Sequence, residues 1–455
     1  MNVSSRIAGI ILFLSAGWLA SCKKDLQSNG DVQQEAINAA NQLHGHLKQT
    51  KTYSSEVPVK WLAMQLRINR VPPGTPGGDL GRMLPYCGIA LYEAVVNGMP
   101  SYQTLSGQLN EMPSMPTTLP GVAYHWAASA NAALAYLSKN FLPNATAANK
   151  ASMDSLENAL NQSFATQTSE AELKRSLEYG TEVARRIFEW SKSDGVLFPR
   201  PPYVPPVGVG LWAPTPPNFA PAVNPYAGLN RLMVVGSGDG AEQPRPPMYS
   251  TDPSSAYYAM VKEVYDVSQT LTPEQTAIGL FYRSNPGYPG AGQIVSVLHE
   301  ILNQANVSLD LAAEAYAKGG IGSWDAIAAC FKAKYTYNVE RPITYIRNVL
   351  GHPTWNALFA TPSHPEFPSA HSVNSTSFMT MLTTVLGDNF HFTDHTFDYL
   401  GMAPRSFTSL NAWAAEAAIS RVYAGIHYRW SIEKGSVWGQ KIAKNILAKV
   451  KFKKE

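Results

Sequence analysis

The chain has 455 residues, 45% of them hydrophobic, and a formal net charge of +3 with Lys and Arg spread along its length. No basic stripe forms, which leaves no case for a nucleic-acid partner. After the N-terminal run nothing is apolar and long enough to span a bilayer, and the length allows one large domain or two ordinary ones.

Arg6 precedes the apolar run "IAGIILFLSAGWLA", which ends in "LASC", Leu19 to Cys22. A short positive region, an apolar stretch and small residues describe an export signal, too short for a membrane span. The cysteine makes it similar to a bacterial lipoprotein signal, with residues 1–21 removed and Cys22 lipidated. An ordinary signal with a chance cysteine is the alternative. Residues 22–55 then begin as a polar, flexible tether. The expectation is an exported protein, lipid-anchored in the bacterial cell envelope at the outer membrane.

Helical signals dominate the remainder. In "SEAELKRSLEYGTEVARRIFEW", Leu173, Leu177, Ala184, Ile187 and Phe188 share one face, and Ser169 and Glu172 have capping-box spacing. Thr272 repeats the device, with Pro273 at the first helical position. Similar helices fit 82–97, 122–140, 146–163, 254–270, 272–284, 291–317, 322–340, 370–386, 407–424 and 432–449. Alternating strand patterns are almost absent, so the fold reads as all-α. Cys87 and Cys330 sit in apolar helical contexts that favour buried free thiols over a disulfide.

One stretch breaks the pattern. Residues 194–250 are crowded with proline and glycine, and no helix can run through them. Phe198, Tyr203, Leu211, Trp212 and Phe219 are too apolar for a solvated linker, so an ordered irregular strap over a helical body is expected. The strap separates an N-terminal helical half, 56–193, from a C-terminal half, 251–455, that holds the chemistry.

Three clusters carry that chemistry. In "KAKYTYNVERP", Lys334 and Arg341 are seven apart and would project from one helix face, just where Pro342 ends the helix. "HPEFPSAHS", residues 364–372, holds His364 and His371 around an extended stretch, and Ser369 stands at the N-cap of the next helix. The free N–H groups of that first turn make an anion site. In "SRVYAGIHYRWS", Arg421 and His427 could converge through a break at Gly425. Each cluster alone reads equally as a solvated cation stripe, a serine cap with an incidental histidine, or a surface arginine and a core histidine. Together they are an inventory for a tetrahedral oxyanion: three cations, neutral donors, one histidine to attack or ligate the central atom and one to move a proton. His391, Asp394 and His395 read as a helix-capping loop, since no third ligand follows at zinc-like spacing.

The order of these clusters resembles the superfamily that unites type-2 phosphatidic-acid phosphatases with vanadium-dependent haloperoxidases. Lys334, Arg341 and Pro342 match its Lys-x6-Arg-Pro; Pro368, Ser369 and His371 match Pro-Ser-Gly-His; Ser420, Arg421 and His427 match Ser-Arg-x5-His. "RMLPYCGIALYEAVVNG" and the strap are similar to the bacterial chloroperoxidase- and iodoperoxidase-like branch. The resemblance implies two packed helical bundles, with the catalytic site in the C-terminal one. It also implies that Lys334, Arg341, Ser369, Arg421 and the N–H of Ala370 hold vanadate or phosphate. His427 would ligate vanadium or attack phosphorus, and His371 would be the acid/base.

The match departs in places. Ala370 replaces the family glycine, and Ser431 stands where the third motif has an aspartate, which weighs against phosphoryl transfer. Phe331 takes the place of a halide-pocket tryptophan, and His364 matches a second site histidine of bromo- and iodoperoxidases. The implied function is a vanadate-dependent haloperoxidase that oxidises iodide or bromide with hydrogen peroxide. The alternatives are a phosphomonoesterase with His427 as nucleophile and a non-catalytic envelope lipoprotein.

Overall fold

The computed structural model describes residues 47–70, 79–283, 285, 287–288 and 291–454. Gln49–Pro116 and Tyr124–Glu455 make one compact unit, outside which Thr117–Ala123 is grouped. The signal, Cys22 and most of the expected tether lie outside the described residues. None of the described helices is long and apolar enough to cross a membrane.

Among the described residues the unit is all-α, with thirteen α-helices and one antiparallel two-stranded sheet, β1 (Phe392–Asp394) with β2 (Arg405–Phe407). A first group comprises α1 (Glu56–Asn69), α2 (Leu80–Val95), α3 (Trp126–Phe141), α4 (Ala147–Ala165) and α5 (Glu170–Ser191). Next come α6 (Ala256–Gln269), α7 (Pro273–Phe281), α8 (Gly292–Ala305), the long α9 (Leu309–Tyr337) and α10 (Pro342–Asn348). The chain closes with α11 (Ala370–Leu386), α12 (Leu410–Tyr423) and α13 (Arg429–Lys449). Starts are capped as the sequence dictates: Ser169, Ser255, Ser369 and Ser409 each accept a first-turn N–H, and Thr272 with Gln275 closes a full capping box.

Helix α9 is the shared wall, packing against α2 on one side and α11 on the other, while α11 also packs against α12 and α13. The sequence reading breaks the chain near residues 317–322, and the structure does not. A single helix runs through Gly319, Gly320 and Gly322, and the interruption falls earlier, at left-handed Asn306. These glycines serve close packing. A Cβ on Gly320 would lie 2.7 Å from the Pro85 backbone of α2, and one on Gly319 would lie 2.7 Å from the Phe378 ring of α11. Helices α1 and α10 were not expected from the sequence.

The strap is held by its backbone rather than by all its rings. Trp212 is buried and donates its N–H to Asn338 O at 2.7 Å, while Glu340 N–H donates to Gly210 O at 3.0 Å. Met233 and Val234 N–H groups both donate to the buried Asp325 carboxylate of α9. Phe198 and Phe219 stay on the surface, contrary to the sequence expectation, because main-chain pairing already anchors the segment on either side.

Candidate active site

Three chain reversals build the site. The first ends α9. Asn338 takes the left-handed conformation (φ 49°) and stops the helix four residues before Pro342, which opens α10 instead of merely closing α9. Lys334 and Arg341 therefore do not share one helix face as the spacing suggested. Lys334 lies in the last turn of α9 and Arg341 is the N-cap of α10, and the extended residues between them are pinned by the strap. Both are fully buried. Lys334 Nζ donates to the carbonyls of Pro365 (2.8 Å) and Glu366 (2.9 Å). Arg341 donates to the carbonyls of His364 (2.9 Å) and Ile426 (2.8 Å), so one guanidinium ties the second and third clusters together.

The second reversal is the 364–369 stretch leading into α11. Ser369 is buried at the N-cap, where its Oγ accepts the Ser372 N–H. Ala370 and His371 follow as the first two helical residues, whose N–H groups have no intrahelical acceptor. His364 Nδ1 lies 3.0 Å from Arg341 Nη2, and its ring stands 5.3 Å from that of Phe331.

The third reversal follows α12. Gly425 adopts φ 77°, turning the chain so that Arg421 at the helix end and His427 beyond it reach the same cavity. Arg421 donates to Tyr282 O at 2.6 Å, and its buried Nε has no hydrogen-bond partner.

His427 is oriented by a carboxylate that the sequence reading did not assign. Glu366, fully buried in the middle of the second cluster, accepts the His427 Nδ1–H at 2.7 Å. The same carboxylate accepts the Tyr428 N–H at 3.0 Å and the Ser431 hydroxyl at 2.6 Å. Ser431 thus does not leave a gap where an aspartate was expected; it hands the position to a longer acid from another loop. The partners fix the tautomer: Nδ1 carries the proton, and the Nε2 lone pair faces Arg341 Nη1 at 3.1 Å. The only sequence signal for this role was a glutamate flanked by prolines between two histidines.

Burial and neighbouring charge set the protonation states. Burial raises the Glu366 carboxyl to about 7 and lowers Lys334 to about 7, each opposed by the other's charge. Burial lowers Arg341 and Arg421 to about 10 and about 9. His364, His371 and His427 are all held well below the ordinary imidazole value, by burial first and then by these cations. Lys334, Arg341 and Arg421 are thus buried close together, and only Lys334 and Arg341 feel the charge of the Glu366 carboxylate; Arg421 faces Arg341 instead. Unpaired buried charge is costly, and an unpartnered guanidinium N–H at a cavity wall fits an oxyanion ligand.

That cavity measures about 310 Å³ and is lined by Phe331, His364, Ala370, His371, Arg421 and His427 among others. Lys334, Arg341 and Ser369 do not line it; they are fully buried beside it. Cys87 and Cys330 are buried free thiols. His391, Asp394 and His395 lie at β1 and the turn after it, where His395 pairs with Asp398 and Asp394 accepts the Trp413 indole N–H.

Residues 315–454 match the family model of the VCPO second helical-bundle domain. The fold is similar to that of a bacterial vanadium-dependent iodoperoxidase, with a TM-score of 0.77 and 28% identity over 89% of this chain and 98% of that one. It is also similar to the apo form of a bacterial vanadium-dependent chloroperoxidase, at 0.61 and 15% identity over 81% of this chain and 94% of that one. The holo form gives 0.61 and 16% over 86% and 92%. No curated protein matches the sequence. The likeness carried by the three motifs therefore extends over most of the chain, and its fold is that of the bacterial vanadium haloperoxidases.

Proposed function

We propose that this protein, which carries the VCPO second helical-bundle domain, is a vanadate-dependent haloperoxidase that oxidises iodide or bromide with hydrogen peroxide. The observation that carries the proposal is the imbalance beside the cavity: Lys334, Arg341 and Arg421 are buried close together, only the first two feel the charge of Glu366, and Arg421 Nε has no protein partner. Bound vanadate would supply the electrophilic activation of peroxide toward halide. Arg421 and the Ala370 N–H at the cavity wall would hold its oxygens. Lys334, Arg341 and Ser369 would act from just behind that wall, as the resemblance implies, and His427 would present the Nε2 lone pair as ligand. Glu366 keeps that imidazole in the required tautomer, as outer carboxylates do for metal-bound histidines. His371 would move the proton. Burial first and then the surrounding cations hold it low, and an anion among those cations would oppose their part of the push.

Similarity to a protein named as an iodoperoxidase, together with His364 and Phe331 at the cavity wall, favours iodide over bromide. The test is to load the protein with orthovanadate and follow triiodide formation from iodide and peroxide. Vanadate binding without any halide oxidation between pH 5 and 8 would sink the reading.

One observation supports a second reading, a phosphomonoesterase. The Glu366–His427 pair at 2.7 Å supplies the carboxylate that a histidine nucleophile needs. Nε2 would attack phosphorus as the ester oxygen departs with a proton from His371. Phosphate-ester hydrolysis that vanadate inhibits and His427→Ala abolishes would decide for it. Lipidation at Cys22, proposed from "LASC", is tested by lipid labelling of wild type against Cys22→Ala.

A further inference from the structure

The cavity is larger than an oxyanion and a halide require, and its far half is built differently. At about 310 Å³ it reaches the size of small-molecule sites, which run from about 300 Å³ upward. Two helix faces lead away from the anion end. On α9, Phe331, Ile327 and Trp324 follow at helical spacing from Lys334; on α11, Asn374 and Ser375 follow from His371. The Trp324 indole N–H is already used by Arg231 O and that of Trp413 by Asp394, so both rings offer apolar surface.

Against this apolar wall two amides stand unpaired. Gln293 on α8 and Asn374 are each more than nine-tenths buried and line the cavity. Gln293 Nε2 and Asn374 Oδ1 have no hydrogen-bond partner. A buried amide is unfavourable to leave unpaired, and here an unpaired donor and an unpaired acceptor belong to two side chains that line the same cavity. A hydroxyl on an aromatic ring meets both needs, since it accepts one hydrogen bond and donates another, while its ring covers Trp324 and Ile327.

We propose that the cavity binds a phenolic acceptor between Gln293, Asn374 and the α9 face, and that oxidised halogen is delivered to this bound ring rather than released. The chemistry rests on the haloperoxidase reading above; the binding does not. Halide and hydrogen peroxide with one proton give hypohalous acid and water. The ring carbon then forms a bond to halogen, the halogen–oxygen bond breaks, and the ring proton leaves with hydroxide as a second water.

Calorimetry on the vanadate-free full chain, with phenol, anisole and benzene as probes, tests the site without turnover. Phenol should bind saturably and at least tenfold more tightly than anisole, with benzene weaker still. Gln293→Leu and Asn374→Leu should each cut phenol affinity about tenfold. Equal binding of the three probes, or no binding of phenol, overturns the proposal even if the variants fail to fold. With vanadate, the ortho/para ratio of iodophenol should differ from that given by hypoiodite in buffer, and an identical ratio overturns delivery to a bound ring. Triiodide formation measured in parallel keeps failure of this proposal distinct from failure of the haloperoxidase reading.

Discussion

Two buried charge clusters in this protein are built from the same residue types and end in opposite balances. Between the first helices and the strap, Arg82 meets Asp194 at 2.6 Å, and the remaining capacity of that carboxylate is taken by Tyr86 O–H and Val196 N–H. The Arg82 charge is met directly there, while neighbouring Arg231 donates to Tyr86 Oη and keeps its own buried Nε unpartnered. At the C-terminal cavity, Lys334 and Arg341 have only the Glu366 carboxylate to oppose them, that carboxylate is already hydrogen-bonded by His427, Tyr428 and Ser431, and Arg421 has none. In the first cluster a guanidinium pairs its carboxylate directly. In the second, Arg421 meets no carboxylate among the described residues, and that difference fits the anion proposed for the cavity.

The comparison breaks most visibly if the arginines are exchanged for neutral side chains of similar length. Arg82→Met strands Asp194 and should cost about 3–5 kcal/mol, the usual penalty for breaking a buried pair, read as a lower midpoint in urea unfolding. Arg421→Met strands no carboxylate among the described residues and removes only the donor to the Tyr282 carbonyl. Ligand-free stability should hold or rise, while vanadate or phosphate affinity should fall by about 1.5–3 kcal/mol through loss of a charged donor. An Arg421→Met protein as destabilised as Arg82→Met would show that its charge is internally compensated after all.

Glu366 separates the clusters from the other side. Glu366→Gln keeps the volume but removes the one charge that opposes Lys334 and Arg341. It also leaves His427 with a weaker acceptor. Activity or vanadate affinity should drop about 10–100-fold, the range for lost outer-shell support of a ligating histidine. Steady-state rates at saturating vanadate separate the two effects. Full activity would mean the tautomer is fixed by Arg341 alone.

How much of this was legible in the sequence follows from which contacts are local. Caps at Ser169, Thr272 and Ser369 are short-range and read directly from residue order. The continuity of α9 was hidden, because Gly319, Gly320 and Gly322 look like helix breakers until α2 and α11 are pressed against them. The site cations were visible through their motifs. Their placement was not, since left-handed Asn338 rather than Pro342 ends α9. Glu366 was the hardest to see: its partners His427 and Ser431 lie more than sixty positions away, and no spacing rule connects them.

The smallest expected effect is a fraction of a proton, and it bears on the same imbalance. Burial and the two arginines hold Lys334 at about 7, well under its ordinary 10.5. Between those values the unfolded chain keeps a proton that the folded chain sheds. This group's contribution to stability therefore rises with pH through that window and is least favourable below 7. At pH 8 the empty site should hold Lys334 mostly neutral while Glu366, raised to about 7, is mostly ionised. An anion placed among the cations favours the charged amine, so phosphate binding at pH 8 should take up part of a proton. Calorimetry in two buffers of different ionisation heat measures that uptake, and Lys334→Met supplies the baseline for phosphate's own titration. Equal uptake in both proteins would mean that Lys334 stays charged without a ligand, and that the charge excess at the cavity is carried in full by the empty fold.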